Sequence, residues 1–301
     1  MSETFWQRWC CGVRRTWQRP DWLELVGTDW ADRIMQTAVT DRFHAKQGRS
    51  TGRWILDNNG RRLAVYLKRH YRLPRWQGLM ATLRPAAGLS PAFQEWRHLQ
   101  WAQDQGIPVP HAVAVAEYVG PWGRLQSCLA VEELVDMLPL NEAIPQAATS
   151  LGAIAFCRWK AELIVEIARL ARALHQRHHF HKDFYLCHFY VHRDDARGAC
   201  RSSSRVHLID LHRLTARPWM AVLGKIKDLG QLLYSSEVPG VTPRDRLRFW
   251  RAYLGCDRPN LTARCLGWMV RLKGRSYRRH RSRSRAPSNG CRPAPRTGKA
   301  A

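Results

Sequence analysis

The stretch His181-Lys182-Asp183-Phe184-Tyr185-Leu186-Cys187-His188-Phe189-Tyr190-Val191 decides how the chain is read. A polar triplet with one carboxylate runs into a short aromatic and β-branched segment, the composition of a loop feeding a strand. Before it, Leu163, Ile164, Ile167, Leu170 and Leu174 recur at helical spacing. After it, a polar surface loop from Arg193 to Arg205 leads to a second hydrophobic run, Val206-His207-Leu208-Ile209-Asp210-Leu211-His212. Helix, Asp-bearing loop, strand, loop, strand ending in Asp is an order that suits phosphoryl transfer. Asp183 would receive or orient a substrate hydroxyl, and Asp210 would hold Mg²⁺ against the phosphates of ATP.

Upstream residues supply what a nucleotide needs. Gln47-Gly48-Arg49-Ser50-Thr51-Gly52 predicts a turn whose glycines, Gly48 and Gly52, let backbone amides approach phosphate. Asp57-Asn58-Asn59-Gly60 separates two extended runs and predicts a hairpin. In the second run Leu63, Val65 and Leu67 share one face, while Ala64, Tyr66 and Lys68 share the other. Ser90-Pro91 is an N-cap and first-turn pair opening a helix with Phe93, Trp96 and Leu99 on one side and Glu95 within it. A strand lysine followed by a helix glutamate is the pair that positions ATP phosphates in kinases. Two more strands are expected, His111 to Tyr118 and Ser127 to Leu134, the second running into a hinge at residues 132–136. A helix from Gly224 to Ser235 turns Ile226, Leu229, Leu232 and Leu233 inward and carries Asp228, which could accept hydrogen bonds from the loop backbone. Helices from Arg244 to Leu254 and from Leu261 to about Arg283 follow. His175, His178, His179 and His181 crowd together, but only Asp183 accompanies them at ligand spacing, so zinc is not expected.

Composition bounds the rest. At 301 residues with 45% hydrophobic content, the chain can build a sizeable core. It holds no run of apolar residues long enough to span a bilayer, and its first residues lack the apolar segment of a secretory signal. The nine scattered cysteines read as reduced thiols, so a cytoplasmic location is expected. The formal net charge is +25; the stretch from Arg271 to Ala301 holds eleven Lys/Arg and no carboxylate, yet more than half of the excess lies before it. Such a chain should meet anions: a phosphorylated glycolipid, an anionic membrane face, nucleotide or nucleic acid. Residues 1–38, rich in Trp and Arg, predict short amphipathic helix and loop packed on the main domain, with a membrane interface as the other use of that composition.

The pattern H-R-D-x-Y-x-C-H-F is matched at His181, Asp183, Tyr185, Cys187, His188 and Phe189, and it resembles the catalytic loop of the lipopolysaccharide core kinases, the heptose and Kdo kinases. The resemblance extends more weakly through Arg49-Ser50-Thr51-Gly52-Arg53, Leu67 to His70, Glu95-Trp96, Ile209 to Arg213 and Lys227-Asp228-Leu229, covering about residues 40 to 255. It implies an α+β, two-lobed protein-kinase-like fold: a Trp/Arg-rich extension (1–38), an antiparallel-sheet N-lobe (39–134), a mainly helical C-lobe (135–272) and a basic, disordered tail (273–301). It also implies that Lys68 contacts the ATP phosphates with Glu95 as its partner, that Asp183 is the catalytic base and that Asp210 is the Mg²⁺ ligand. Asp228 and His181 would support the loop. Two departures from protein kinases stand out. His188 replaces the Asn that would hold a second Mg²⁺, an ion that prefers oxygen, and Leu211-His212 replaces Phe-Gly. The implied activity is ATP-dependent phosphorylation of a heptose or Kdo hydroxyl of an anionic glycolipid, peripherally at the cytoplasmic face of the inner membrane. An atypical bacterial Ser/Thr protein kinase, or a nucleic-acid-binding protein with a degenerate kinase domain, are the alternatives.

Overall fold

The computed structural model of the protein describes residues 4–38, 42–46, 48–58, 60–84, 88–197 and 206–285. Its first half opens with α1 (Phe5–Cys11), β1 (Val13–Gln18), α2 (Pro20–Val26) and α3 (Trp30–Gln36). The strands β2 (Arg42–Lys46), β3 (Arg49–Asn58) and β4 (Arg61–His70) follow, then α4 (Arg75–Leu83), α5 (Pro91–Asp104), β5 (Ala112–Gly120) and β6 (Arg124–Glu132). The strands form one antiparallel sheet in the order β1-β5-β6-β4-β3-β2. The expected hairpin closes with Asn58 opposite Arg61.

The alternation of β4 sorts the sheet into two faces. Val65 and Leu67 are fully buried with Trp22, Trp30 and Ile34 of α2 and α3, so the N-terminal helices roof one face. Each such buried side chain contributes roughly 1.5–3 kcal/mol. Lys68 looks the other way, toward α5. Ser90 caps α5 as expected, its Oγ accepting from Phe93 N at 3.4 Å.

The second half holds β7 (Met137–Pro139), α6 (Leu140–Ser150), α7 (Ala153–Gln176), β8 (His179–Phe180), β9 (Phe189–His192), β10 (His207–Leu208) and β11 (Thr215–Ala216). It ends with α8 (Ala221–Ser235), α9 (Pro243–Leu254) and α10 (Leu261–Arg285). The main core runs from Phe93 and Leu99 through Leu129 into Leu163, Leu170, Leu174, Phe184 and Phe189, joining the sheet lobe to the helical one. Lys160 on α7 reaches Asp245 of α9 at 2.8 Å, and that carboxylate also completes the capping box with Thr242.

Three expectations are corrected. Residues 1–38 are not only helix and loop, because β1 pairs with β5 along its whole length. Its alternation was hidden by arginine: Arg15 lies over the Phe93 ring at 5.1 Å while Trp17 packs on Trp96 at 5.2 Å, so a cation occupies an inward position. The turn expected over residues 47–52 is shorter. Gly48, with φ +76°, sits at the turn, but Gly52 lies inside β3 opposite Leu67, where strand pairing uses its backbone. The basic tail does not start at 273, since α10 continues to Arg285 and Tyr277 packs against Tyr234 and Tyr185. The remainder of that tail, and residues 198–205 of the loop before β10, lie outside the described residues.

Candidate active site

Lys68, Glu95 and Asp210 come together from three elements. The Lys68 ammonium, carried to the underside of the sheet by β4, donates to Glu95 Oε1 at 2.5 Å and to Asp210 Oδ1 at 3.2 Å. Glu95 is only 3% exposed, held in place by the burial of Phe93 and Leu99 on the same helix. Burial opposes the charge on Lys68, but Glu95 and Asp210 outweigh it and lift the ammonium above the ordinary lysine range. Burial also opposes the charge on Asp210, yet the hydrogen bond from His212 and the nearby Lys68 hold its carboxyl well below the usual carboxylate range. His212 Nδ1 donates to Asp210 Oδ1 at 2.7 Å.

Asp210 itself sits in the left-handed region, φ 63° and ψ 54°, two residues past the strand β10. A non-glycine residue there is held by its surroundings. The Ile209 amide donates to His188 O at 3.0 Å, and its carbonyl accepts from His181 Nε2 at 3.0 Å. His98 of α5 donates from Nδ1 to Leu211 O at 2.9 Å, tying the Glu95 helix to the segment after Asp210. The peptide bearing Asp210 is thus fastened on both sides.

The Asp183 loop is fastened from below by one helix. Asp228, fully buried on α8, accepts from His181 N at 2.7 Å and Lys182 N at 2.8 Å. One turn on, Gln231 Oε1 accepts from Phe184 N at 2.9 Å while its Nε2 donates to Lys182 O at 2.8 Å. A further turn on, Ser235 Oγ accepts from Leu186 N at 2.8 Å. The loop peptides are therefore satisfied by side chains instead of a ladder, which accommodates the left-handed Lys182 at φ 66°. Arg213 Nη1 lies 2.9 and 3.0 Å from the two carboxylate oxygens of Asp183, so a cation rests against that group.

The histidines separate. His181 is buried with Nδ1 unpartnered among the described residues and Nε2 carrying the proton to the Ile209 carbonyl; burial lowers its pKa. His175 contacts Tyr253 and Asp228, and His179 stacks on Trp101. His188 Nδ1 donates to the Asp183 carbonyl at 2.6 Å. Burial works against its protonated ring, but Cys187, that carbonyl and Asp210 raise its pKa on balance. A ring so engaged braces the loop through Nδ1.

Among the described residues no three His, Cys, Asp or Glu side chains converge on one metal position. The donor chemistry nevertheless fits Mg²⁺, which takes one or two carboxylates and completes its shell with phosphate oxygens and water. Asp210 offers such a carboxylate. Gln231, Ser235, His98 and Arg213 were not assigned roles from sequence. The repeat Asp228, Gln231, Ser235 along one face of α8 was the available signal for the first two, since polar groups spaced by a helical turn on an inward face must find partners.

A sheet lobe and a helical lobe meeting at a Lys–Glu pair and two loop aspartates define a kinase-like phosphotransferase. Residues 36–253 match the model of the Lipopolysaccharide kinase (Kdo/WaaP) family, and the chain belongs to that family. It is 30% identical over 273 residues to the lipopolysaccharide core heptose(I) kinase WaaP of Pseudomonas aeruginosa, covering 88% of this chain and 94% of that one. It is 29% identical over 185 residues to the protein of the same description from Escherichia coli K12, covering 60% and 64%. Among solved structures, WaaP in complex with acyl carrier protein superposes with a TM-score of 0.65 at 26% identity, over 87% of this chain and 99% of the other. The protein is a phosphotransferase of lipopolysaccharide biosynthesis acting on a core sugar hydroxyl. Family membership favours the sugar-kinase reading over the protein-kinase and nucleic-acid alternatives.

Proposed function

We propose that the protein transfers the γ-phosphoryl group of ATP, with Mg²⁺, to a hydroxyl of the first heptose of the lipopolysaccharide inner core. The observation that carries the nucleotide half is Lys68 fixed between Glu95 and Asp210. The choice of heptose over Kdo rests on the relatives, which are described as heptose(I) kinases. When bound, Mg²⁺ would neutralise phosphate charge, with Asp210 as its protein ligand. Lys68 holds the phosphates, and Glu95 holds Lys68. Asp183 orients the acceptor hydroxyl and takes its proton as the oxygen attacks. Arg213 releases Asp183 to the acceptor and faces the charge of the transferring group. Asp228, Gln231, His181 and His188 keep the loop in register, and Gly48 lets the β2–β3 turn approach the phosphates without a side chain in the way. Positioning and charge together supply the acceleration, because the reaction needs little covalent help from protein.

The protein works peripherally at the cytoplasmic face of the inner membrane; no helix among the described residues is long and apolar enough to cross a membrane. An acyl carrier protein is a second partner, following the solved WaaP complex. A cavity of about 680 Å³ among α7, α8, α9 and α10 suits an acyl chain, being lined by Leu163, Ile167, Leu232, Phe249 and Trp250 with Arg271 nearby. Mass spectrometry of core oligosaccharide from cells with and without the gene tests the acceptor. A phosphate on the first heptose that disappears with the gene is expected; loss of a Kdo phosphate, or no change, would overturn the assignment.

A further inference from the structure

The Trp/Arg-rich start of the chain is not used by the site described above. The structure shows what it builds. In α1, Arg8 Nε donates to Thr82 O of α4 at 3.1 Å, and Trp9 meets Trp122 of the β5–β6 turn edge-on at 6.2 Å. The turn and α4 touch backbone to backbone, since a methyl on Gly78 would run into the Gly123 carbonyl. Three segments distant in sequence thus form one surface.

That surface leaves its largest apolar groups in solvent. Trp6 is 70% exposed, Trp76 65% and Trp122 65%, with Leu79 and Leu83 beside them on α4. Trp122 is held with φ 59° at the tip of the turn, a left-handed conformation that bulky residues rarely adopt, and it points its indole outward rather than into the core. Exposed Arg75, Arg84 and Arg124 lie on the same elements. From Thr4 to Pro20, from Tyr71 to Ser90 and from Val119 to Val131 there is no Asp or Glu. Indole rings with arginines and no carboxylates are the composition of a surface that enters the headgroup layer of an anionic bilayer.

Its place in the fold agrees. Arg49 pairs with His70, His70 with Ser127, and Val119 with Leu125. The β5–β6 turn and the Gly48 turn therefore lie at the same end of the sheet.

We propose that α1, α4 and the β5–β6 turn form a docking site for an anionic lipid bilayer, with Trp6, Trp76 and Trp122 as the inserting groups. The proposal rests on the reading that the acceptor sugar is carried on a membrane lipid, and it names the surface that brings the enzyme to it. The test uses the full chain and vesicles without any acceptor, so that failure of the kinase reading would show elsewhere, in turnover on a water-soluble core oligosaccharide. Co-sedimentation with phosphatidylglycerol/phosphatidylethanolamine vesicles is compared with phosphatidylcholine vesicles. The wild type should bind the anionic vesicles in a salt-sensitive manner, and the triple variant W6S/W76S/W122S should bind about tenfold more weakly. Trp268→Ser, an exposed indole on α10, should bind as wild type. Turnover on the soluble oligosaccharide should be the same in all of them. If the triple variant does not fold, R75E/R124E carries the test with the same expected loss. Absence of wild-type binding, or undiminished binding in a folded variant, would overturn the proposal. So would variants that lose acyl carrier protein but keep vesicles, which would assign the surface to a protein partner.

Discussion

Lys68 answers to two carboxylates at once, Glu95 from the helix and Asp210 from the opposite lobe. Lys68 and His212 both meet Asp210 at Oδ1, and the phosphates of ATP are anionic groups to which the lysine can turn. The nucleotide would therefore complete a site whose charges already balance. Two residues on, His70 is buried in a cationic neighbourhood. Burial first, then Arg49 and Lys68, push its pKa down to about 4. The sign follows directly. The unfolded chain, with histidine near 6.5, binds the proton more readily, so this group's contribution is complete above that pH and is lost as pH falls toward 4. The loss is on the order of 3 kcal/mol. Urea unfolding midpoints should fall between pH 7 and pH 4.5, and His70→Leu should flatten part of that slope; an unchanged slope in the variant would contradict the assignment. Residues of this kind differ in how visible they are in sequence. Lys68, Glu95, Asp183 and Asp210 were legible because each is a charge at a fixed place in an element order. Arg213 was not, because nothing local says that the cation three residues past Asp210 folds back onto Asp183.

At the scale of elements, α8 does the most for the site while touching none of the reacting groups. Asp228, Gln231 and Ser235 stand at i, i+3 and i+7 and between them satisfy the amides of His181, Lys182, Phe184 and Leu186. Gln231→Leu would leave the Phe184 amide and the Lys182 carbonyl unpaired in a buried setting, each at about 1–3 kcal/mol. A lower Tm is expected, together with a kcat reduced more than the KM for ATP is raised, because Lys68 and Asp210 are left in place. A variant with wild-type Tm and kcat would show that the loop does not depend on this clamp. Element types were mostly readable: the hairpin at Gly60, the capped helix at Ser90 and the apolar stripe of α7 all follow local rules. What escaped was decided by tertiary contact. β1 is a strand because β5 offers it an edge, although its inward positions include Arg15. The helix α10 runs past 273 because its residues pack on α8 through Tyr277 and Gly274. The helix expected from Leu261 to about Arg283 already pointed this way; the basic composition alone placed a tail from 273.

At the scale of the molecule, a formal charge of +25 is the property most plainly linked to its substrate. Repulsion among so many cations disfavours a compact chain, and anionic partners relieve it. Both halves of the proposed reaction supply them: a nucleotide between the lobes and a phosphorylated glycolipid at the Asp183 side. The fold was legible at this scale through the order of its charged motifs, and family membership now supports that order over residues 36–253. The sugar chosen was not, because acceptor contacts depend on surfaces that no motif encodes. In the proposed reaction Asp183 serves the acceptor hydroxyl and Asp210 the metal at the nucleotide phosphates. Purified protein with Mg-ATP and dephosphorylated core lipopolysaccharide should release ADP and label the glycolipid. Asp183→Asn and Asp210→Asn should each lower that rate by about 10³-fold or more while leaving the fold intact. Full turnover in either folded variant would contradict the account.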